Sequence, residues 1–154
     1  MAIRRSSQKR QVFAQLSQMA PPGETFLTCV HCETGPSPWL NIIFDRIPFL
    51  GLVIAFTRKF YFLTLTSTHV VLTGAGRFSN RPKGVLGSWP RDQFPISNVK
   101  FGRVWSSAYV QFAGSNKPTR LNIHRFWNGE LGQLLGGTGQ STQGLPPTAD
   151  TSTT

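Results

Sequence analysis

The chain has 154 residues, enough for one domain that buries a core without disulfides or metals. Sixteen Lys and Arg against six Asp and Glu give a formal net charge of +10, which favours polyanionic partners such as nucleic acid or an anionic membrane surface. Two cysteines are too few for a disulfide framework, and no stretch of about 20 apolar residues predicts a membrane-spanning helix. No secretory signal opens the sequence, so we expect a cytoplasmic protein.

The first predicted element is a short amphipathic helix over residues 6–19. Val12, Phe13, Leu16 and Met19 recur at helical spacing, and the prolines and glycine at 21–23 end the segment. Because Arg and Lys crowd its N-terminal side, where they oppose the helix dipole, we expect this helix to depend on packing.

Residues 25–32 alternate as a strand and contain a C-x-x-C motif. The alternation predicts one face formed by four residues: Phe26, Thr28, Val30 and Cys32. Cys29 and Cys32 would then point to opposite faces and could not form a disulfide. A zinc site would need a second pair of ligands, but the three histidines are widely separated. We therefore predict two free, buried or half-buried cysteines, with no metal and no cofactor.

The most apolar stretch is WLNIIFDRIPFLGLVIAF, residues 39–56, which is interrupted by Asp45 and Arg46. It is too short to span a membrane, and three roles fit it: core, membrane contact or protein interface. For the second and third roles, the residues that would insert or form the interface are Trp39, Phe44, Phe49, Leu50 and Phe56.

Residues 58–74 (RKFYFLTLTSTHVVLTG) predict a β-hairpin. β-Branched and aromatic residues alternate at period two, a polar break stands at 67–68, and a glycine ends the return strand. One face is predicted to carry Phe60, Phe62, Thr64 and Thr66, and the other Tyr61, Leu63 and Leu65.

The second half of the chain is predicted to contain a basic segment rich in glycine and proline, three short strands and a helix. The basic segment covers 75–95. The strands are predicted from 94–99 through Phe101 and Trp105, over 108–112, and over 119–124. A helix then follows from Phe126 to Leu135, and its apolar face should dock onto the sheet. Residues 138–154 have the composition of a disordered tail.

This order of elements resembles the bacterial pleckstrin-homology-like domains, which are similar to eukaryotic GRAM and PH domains. Four segments carry the resemblance: GETFL (23–27), FLTLTSTHVVL (62–72), FPISNV (94–99), and LNI (121–123) followed by FW (126–127). The sequence departs from the family pattern in having His69 where a cation is common, and in its apolar insertion.

The resemblance implies a mainly β fold: a strongly bent seven-stranded sheet, or partly open barrel, capped by a C-terminal helix. With the short N-terminal helix, this divides the chain into a basic helix and linker (1–22), a PH-like domain (23–137, with the insertion 39–56) and a disordered tail (138–154). Domains of this family bind phospholipid headgroups or proteins and are not enzymes.

The residues agree with a non-catalytic role. There is no G-x-S-x-G motif, no close pair of carboxylates, and no lysine at the P-loop position. We therefore predict an adaptor that contacts an anionic membrane surface or a protein partner, located in the cytoplasm and peripheral to the plasma membrane. The candidate headgroup or anion contacts are Arg46, Arg58, Lys59, Arg77, Arg81 and Lys83.

Two alternatives stay open. One is a nucleic-acid-binding β-barrel, in which rings and cations on neighbouring strands form a stacking platform. Its residues would be Phe101, Arg103, Trp105, Tyr109, Phe112 and Arg120. The other is a protein-interaction or structural module with no lipid role; the oligomeric state is left undetermined by the sequence.

Overall fold

A computed structural model describes residues 2–18, 20, 22–35, 58–76 and 82–140, which form seven β-strands and two α-helices. The strands are β1 (Phe26–Thr34), β2 (Phe60–Thr66), β3 (His69–Ala75), β4 (Pro82–Pro90), β5 (Ile96–Lys100), β6 (Trp105–Val110) and β7 (Thr119–His124). Helix α1 (Ala2–Ser17) precedes the sheet and helix α2 (Asn128–Gly137) follows it. The apolar insertion 39–56 lies outside the described residues.

All seven strands belong to one antiparallel sheet in the order β4-β3-β2-β1-β7-β6-β5. Strand β1 is central, and the sheet stays open because β4 and β5 are its two edges. The predicted fold class, a mainly β PH-like sheet with a C-terminal helix, is confirmed by this topology.

The predicted hairpin is formed by β2 and β3, in which Leu63 pairs with Leu72. The two predicted faces are also confirmed. Leu63 and Leu65 belong to the main core, whereas Phe62 is fully buried in a second, smaller cluster on the opposite face of the sheet.

A β-bulge near the start of β1 changes the predicted alternation. Phe26 pairs with Thr66 but Thr28 pairs with Leu65, so Leu27 is an extra residue on this strand. Phe26 therefore lies with Cys29 in the smaller cluster, and the prediction that it shares a face with Val30 and Cys32 was wrong.

The two cysteines lie on opposite faces, as predicted, and both are free. Burial raises the pKa of the Cys29 thiol to about 12 and raises that of Cys32 further. Both therefore stay protonated at neutral pH and pack as small apolar side chains.

Each helix covers a different face of the sheet. Leu131, Leu134 and Leu135 of α2 are buried in the main core, which confirms the predicted docking of this helix. Val12 and Leu16 of α1 pack into the smaller cluster on the other face. At the N-terminal side of α2, Lys9 Nζ lies 2.6 Å from Glu130 Oε1, so an ion pair joins the two helices.

Strand β4 lies inside the basic segment rich in glycine and proline (75–95), where the sequence predicted no strand. The prolines stand at its two ends, Pro82 and Pro90, and it is an edge strand, which tolerates residues that donate no ladder hydrogen bond. Its pairing with β3 is interrupted by two register shifts, and most of its residues are exposed.

The predicted strand through Phe101 and Trp105 is divided, because β5 ends at Lys100 and β6 begins at Trp105. The connection bends sharply at Gly102, where a β-carbon would lie 2.0 Å from the Trp105 carbonyl oxygen. Only glycine fits there, so the chain turns at this point and Trp105 belongs to the returning strand.

Arg91, in the short 3-10 turn Arg91–Gln93, joins the end of α2 to the β2–β3 turn. Its Nε donates to the Gly137 carbonyl at 2.9 Å, and its Nη1 donates to the Ser67 carbonyl at 3.1 Å. A guanidinium at a helix C-terminus also interacts favourably with the helix dipole. None of the described helices is long and apolar enough to cross a membrane.

His31 occupies an aromatic site on β1. Its ring centroid lies 5.0 Å from that of Phe62, 5.8 Å from that of Phe60 and 6.3 Å from that of Trp127. Its Nε2 is buried and has no hydrogen-bond partner among the described residues. Burial lowers the pKa of His31 from 6.5 to about 4, so the folded protein holds this imidazole neutral.

We predict that acid destabilises the fold through His31. Between about pH 6.5 and pH 4 the unfolded chain binds a proton that the folded chain does not, so stability falls by up to about 3 kcal/mol across this window. Urea unfolding of His31→Phe should show a much smaller loss over the same window. An equal pH dependence in the two proteins would contradict this assignment.

Candidate functional site

The strand register brings several connections to one end of the sheet, which we call the loop end. Near this end Glu33 of β1 pairs with Phe60 of β2, and Phe60 pairs with Ala75 of β3. Ala75 in turn pairs with Pro82 of β4. The β1–β2 and β3–β4 connections therefore leave the sheet side by side.

The β6–β7 connection, residues 111–118, emerges at the same end. Val110 pairs with Thr119 across this hairpin, and Leu121 pairs with Thr34 at the end of β1. The rings of Phe112 and Tyr61 lie 5.8 Å apart, so this connection also contacts the start of β2.

Three of the predicted anion contacts lie in the described part of the chain. Lys59 immediately precedes β2 and Lys83 is the second residue of β4, so both lie at the loop end, and both are exposed. Arg58 lies beside Lys59 but is half-buried. The other predicted contacts, Arg46, Arg77 and Arg81, lie outside the described residues, as do Trp39, Phe44, Phe49, Leu50 and Phe56.

The structure adds Lys117, which the sequence reading did not single out. It is exposed in the β6–β7 connection. The polar turn around it was visible in the sequence, but its position beside the β1–β2 connection depends on the pairing of Leu121 with Thr34. No local pattern reports such a long-range pair.

Arg58 is held at the loop end by an ion pair. Its Nη1 lies 3.5 Å from Glu33 Oε1, and the two side chains are only 19% and 10% exposed. Burial raises the pKa of Glu33, and the attraction of Arg58 partly offsets that rise. An anionic ligand would have to compete with this carboxylate for Arg58.

Hydrogen bonds hold the two ends of the β1–β2 connection together. Thr34 N donates to the Lys59 carbonyl at 2.8 Å, and Lys59 N donates to Thr34 Oγ1 at 3.3 Å. Asn122 Nδ2 donates to the Gly35 carbonyl at 3.4 Å. Both ends of the segment that contains the apolar tract therefore lie at the loop end.

The residues of the nucleic-acid alternative are divided between the main core and the opposite face of β6 and β7. Phe101 and Phe112 are partly buried against the main core. Trp105 makes an edge contact with His124, with centroids 4.9 Å apart, and the turn at Gly102 separates it from Phe101, which follows the end of β5. Tyr109 and Arg120 are paired across β6 and β7.

Within the described residues, no group of three or more His, Cys, Asp or Glu side chains could hold a metal ion. A cavity of about 190 Å³ on the α2 side is lined mainly by apolar side chains, among them Tyr61, Leu72, Trp89 and Phe112. It offers no convergent set of ionisable groups.

No protein-family model matches the sequence, and no curated protein is significantly similar to it. Among solved structures, the chain is similar to the crystal structure of a pleckstrin homology domain from Shewanella amazonensis SB2B. The match has a TM-score of 0.43 and 10% sequence identity, and it covers 83% of this chain and 96% of that chain.

We predict that Arg58 positions the loop end and supports stability. Arg58→Met leaves Glu33 buried without this cation, which should cost about 1–3 kcal/mol at neutral pH. The loss should be smaller in acid, because a carboxyl whose folded-state pKa is raised destabilises the fold only once it is charged.

Urea unfolding at about pH 7 and pH 4 measures both effects, with the unmodified protein as the reference at each pH. Lys59→Met is the matched control, since Lys59 is exposed and should change stability little at either pH. Equal losses for Arg58→Met at the two pH values would contradict the role of Glu33.

Proposed function

We propose that this chain is a non-catalytic module that binds anionic phospholipid surfaces through the loop end. The proposal rests on the strand register. Exposed Lys59, Lys83 and Lys117 lie at the same end of the sheet as the two ends of the segment that contains the apolar tract. Cations next to an apolar element are the combination that interfacial membrane binding requires.

The distribution of acids supports an anionic partner at this end. Four acidic residues are described, and among them only Glu33 lies at the loop end, where Arg58 neutralises it. Glu130 pairs with Lys9. Glu24 contacts the β2–β3 turn, and Asp92 follows the end of β4, both near the opposite end of the sheet. The loop end is therefore an uncompensated positive surface in the described part of the chain.

In this proposal the exposed lysines attract the lipid phosphates, each contributing about 1 kcal/mol near an anionic surface. Arg46, Arg77 and Arg81 join them, because their segments begin and end at the loop end. Trp39, Phe44, Phe49, Leu50 and Phe56 supply apolar area that inserts among the acyl chains. Such a module works at the cytoplasmic face of a membrane.

The test compares two double variants with the same change in charge at opposite ends of the sheet. Lys59→Glu with Lys83→Glu reverses the loop end, whereas Lys100→Glu with Arg103→Glu reverses exposed cations at the end of β5 and in the turn that follows. Co-sedimentation with phosphatidylcholine vesicles, with and without phosphatidylserine, measures binding at low and high salt.

We expect the unmodified protein to need phosphatidylserine, and to keep part of its binding at high salt because the apolar tract inserts. The loop-end variant should bind at least about tenfold more weakly, and the opposite-end variant should lose much less. Equal losses would show that net charge alone drives binding. No sedimentation with either vesicle would overturn the lipid proposal and favour a protein partner.

A further inference from the structure

A second candidate site lies on the α1 side of the sheet. It is a groove of about 390 Å³ between the end of α1, the start of β3 and the edge strand β4. We call it the α1–β4 groove. Its volume falls in the range typical of small-molecule pockets. It is also more than twice the roughly 150 Å³ of an engineered apolar cavity that holds benzene.

The groove is lined mainly by apolar side chains from the end of α1 and from the sheet. Leu16 lies near the end of the helix, and Ala20 N donates to its carbonyl at 2.8 Å as the chain turns away. Phe26, Val71 and Val85 line the sheet side, and Val85 remains 41% exposed. An apolar ligand body would find a partly formed site there.

One end of the groove carries a carboxylate. Glu24 Oε1 accepts a hydrogen bond from Thr66 Oγ1 at 2.5 Å and one from Thr68 Oγ1 at 2.6 Å, and His69 Nδ1 lies 3.7 Å away. These hydroxyl hydrogen bonds, led by that of Thr66, hold the pKa of Glu24 below its usual value. The groove therefore presents an anion at neutral pH.

Glu24 also differs from the two other acids that are largely buried. Glu33 has Arg58 and Glu130 has Lys9, but no described lysine or arginine contacts Glu24. The basic group beside Glu24 is the imidazole of His69, 3.7 Å away, which is a cation only when it is protonated. A ligand with a permanent positive charge would give Glu24 the kind of partner that the other two carboxylates have.

We propose that the α1–β4 groove binds an organic cation, with an ammonium group on Glu24 and an apolar body between Leu16, Phe26 and Val85. The ammonium donates a charge-assisted hydrogen bond to the carboxylate, and the body removes apolar surface from water. A lipid phosphate would be repelled by Glu24, so this site is separate from the loop end and does not rest on the lipid proposal.

The test uses two probes with the same carbon frame, 2-phenylethylamine and 2-phenylethanol. Titrating each into the full-length, isotope-labelled protein and following amide resonances by NMR gives both affinity and location. We expect shifts around Glu24, Thr66 and Val85, and about tenfold tighter binding of the amine, as a hydrogen bond to a charged group provides.

Two variants make the result specific. Glu24→Gln should lower the affinity for the amine to that for the alcohol. Asp92→Asn removes an exposed acid outside the groove and should change the affinity for neither probe. Val85→Trp should fill the groove and weaken both probes, and because Val85 is largely exposed this variant should fold. Equal affinities of the two probes for the unmodified protein, or shifts elsewhere, would overturn the proposal.

Discussion

The structure depends on β1, which joins the two halves of the sheet. On one side β1 pairs with β2 along most of its length, but on the other side only Glu33 and Thr34 pair with β7. Helix α2 packs against β1 and buries three leucines in the main core. Of these two residues, Glu33 also forms the ion pair with Arg58, and Thr34 forms the hydrogen bond with Lys59 that joins the two ends of the β1–β2 connection. Fold stability and the geometry of the loop end therefore share one short stretch of backbone.

The fold separates two electrostatic environments. At the loop end the described acid is neutralised and the lysines are exposed, whereas the α1–β4 groove carries a carboxylate that no described lysine or arginine contacts. Because α1 lies on one face of the sheet and α2 on the other, the groove and the main core do not compete for the same apolar surface. The two proposed sites, an anion-binding end and a cation-binding groove, can therefore belong to one sheet.

Local patterns in the sequence predicted much of this fold. The β2–β3 hairpin and the docking of α2 follow from periodicity, and the separation of Cys29 and Cys32 follows from strand alternation. Strand β4 was missed because its glycines and prolines favour loops, and an edge strand tolerates them. The bulge at Leu27, the pairing of Arg58 with Glu33 and the groove around Glu24 depend on contacts between residues distant in sequence, which no local pattern reports.

The most direct test of the central claim is the orientation of the protein on a lipid surface. Amide resonances of the labelled chain would be recorded with nanodiscs that contain phosphatidylserine and a paramagnetic lipid. We expect residues at the loop end, including Lys59, Lys83 and Lys117, to broaden strongly, and those around Lys100 and Arg103 not to broaden. Broadening centred on the β5–β6 turn, or spread evenly over the surface, would contradict it.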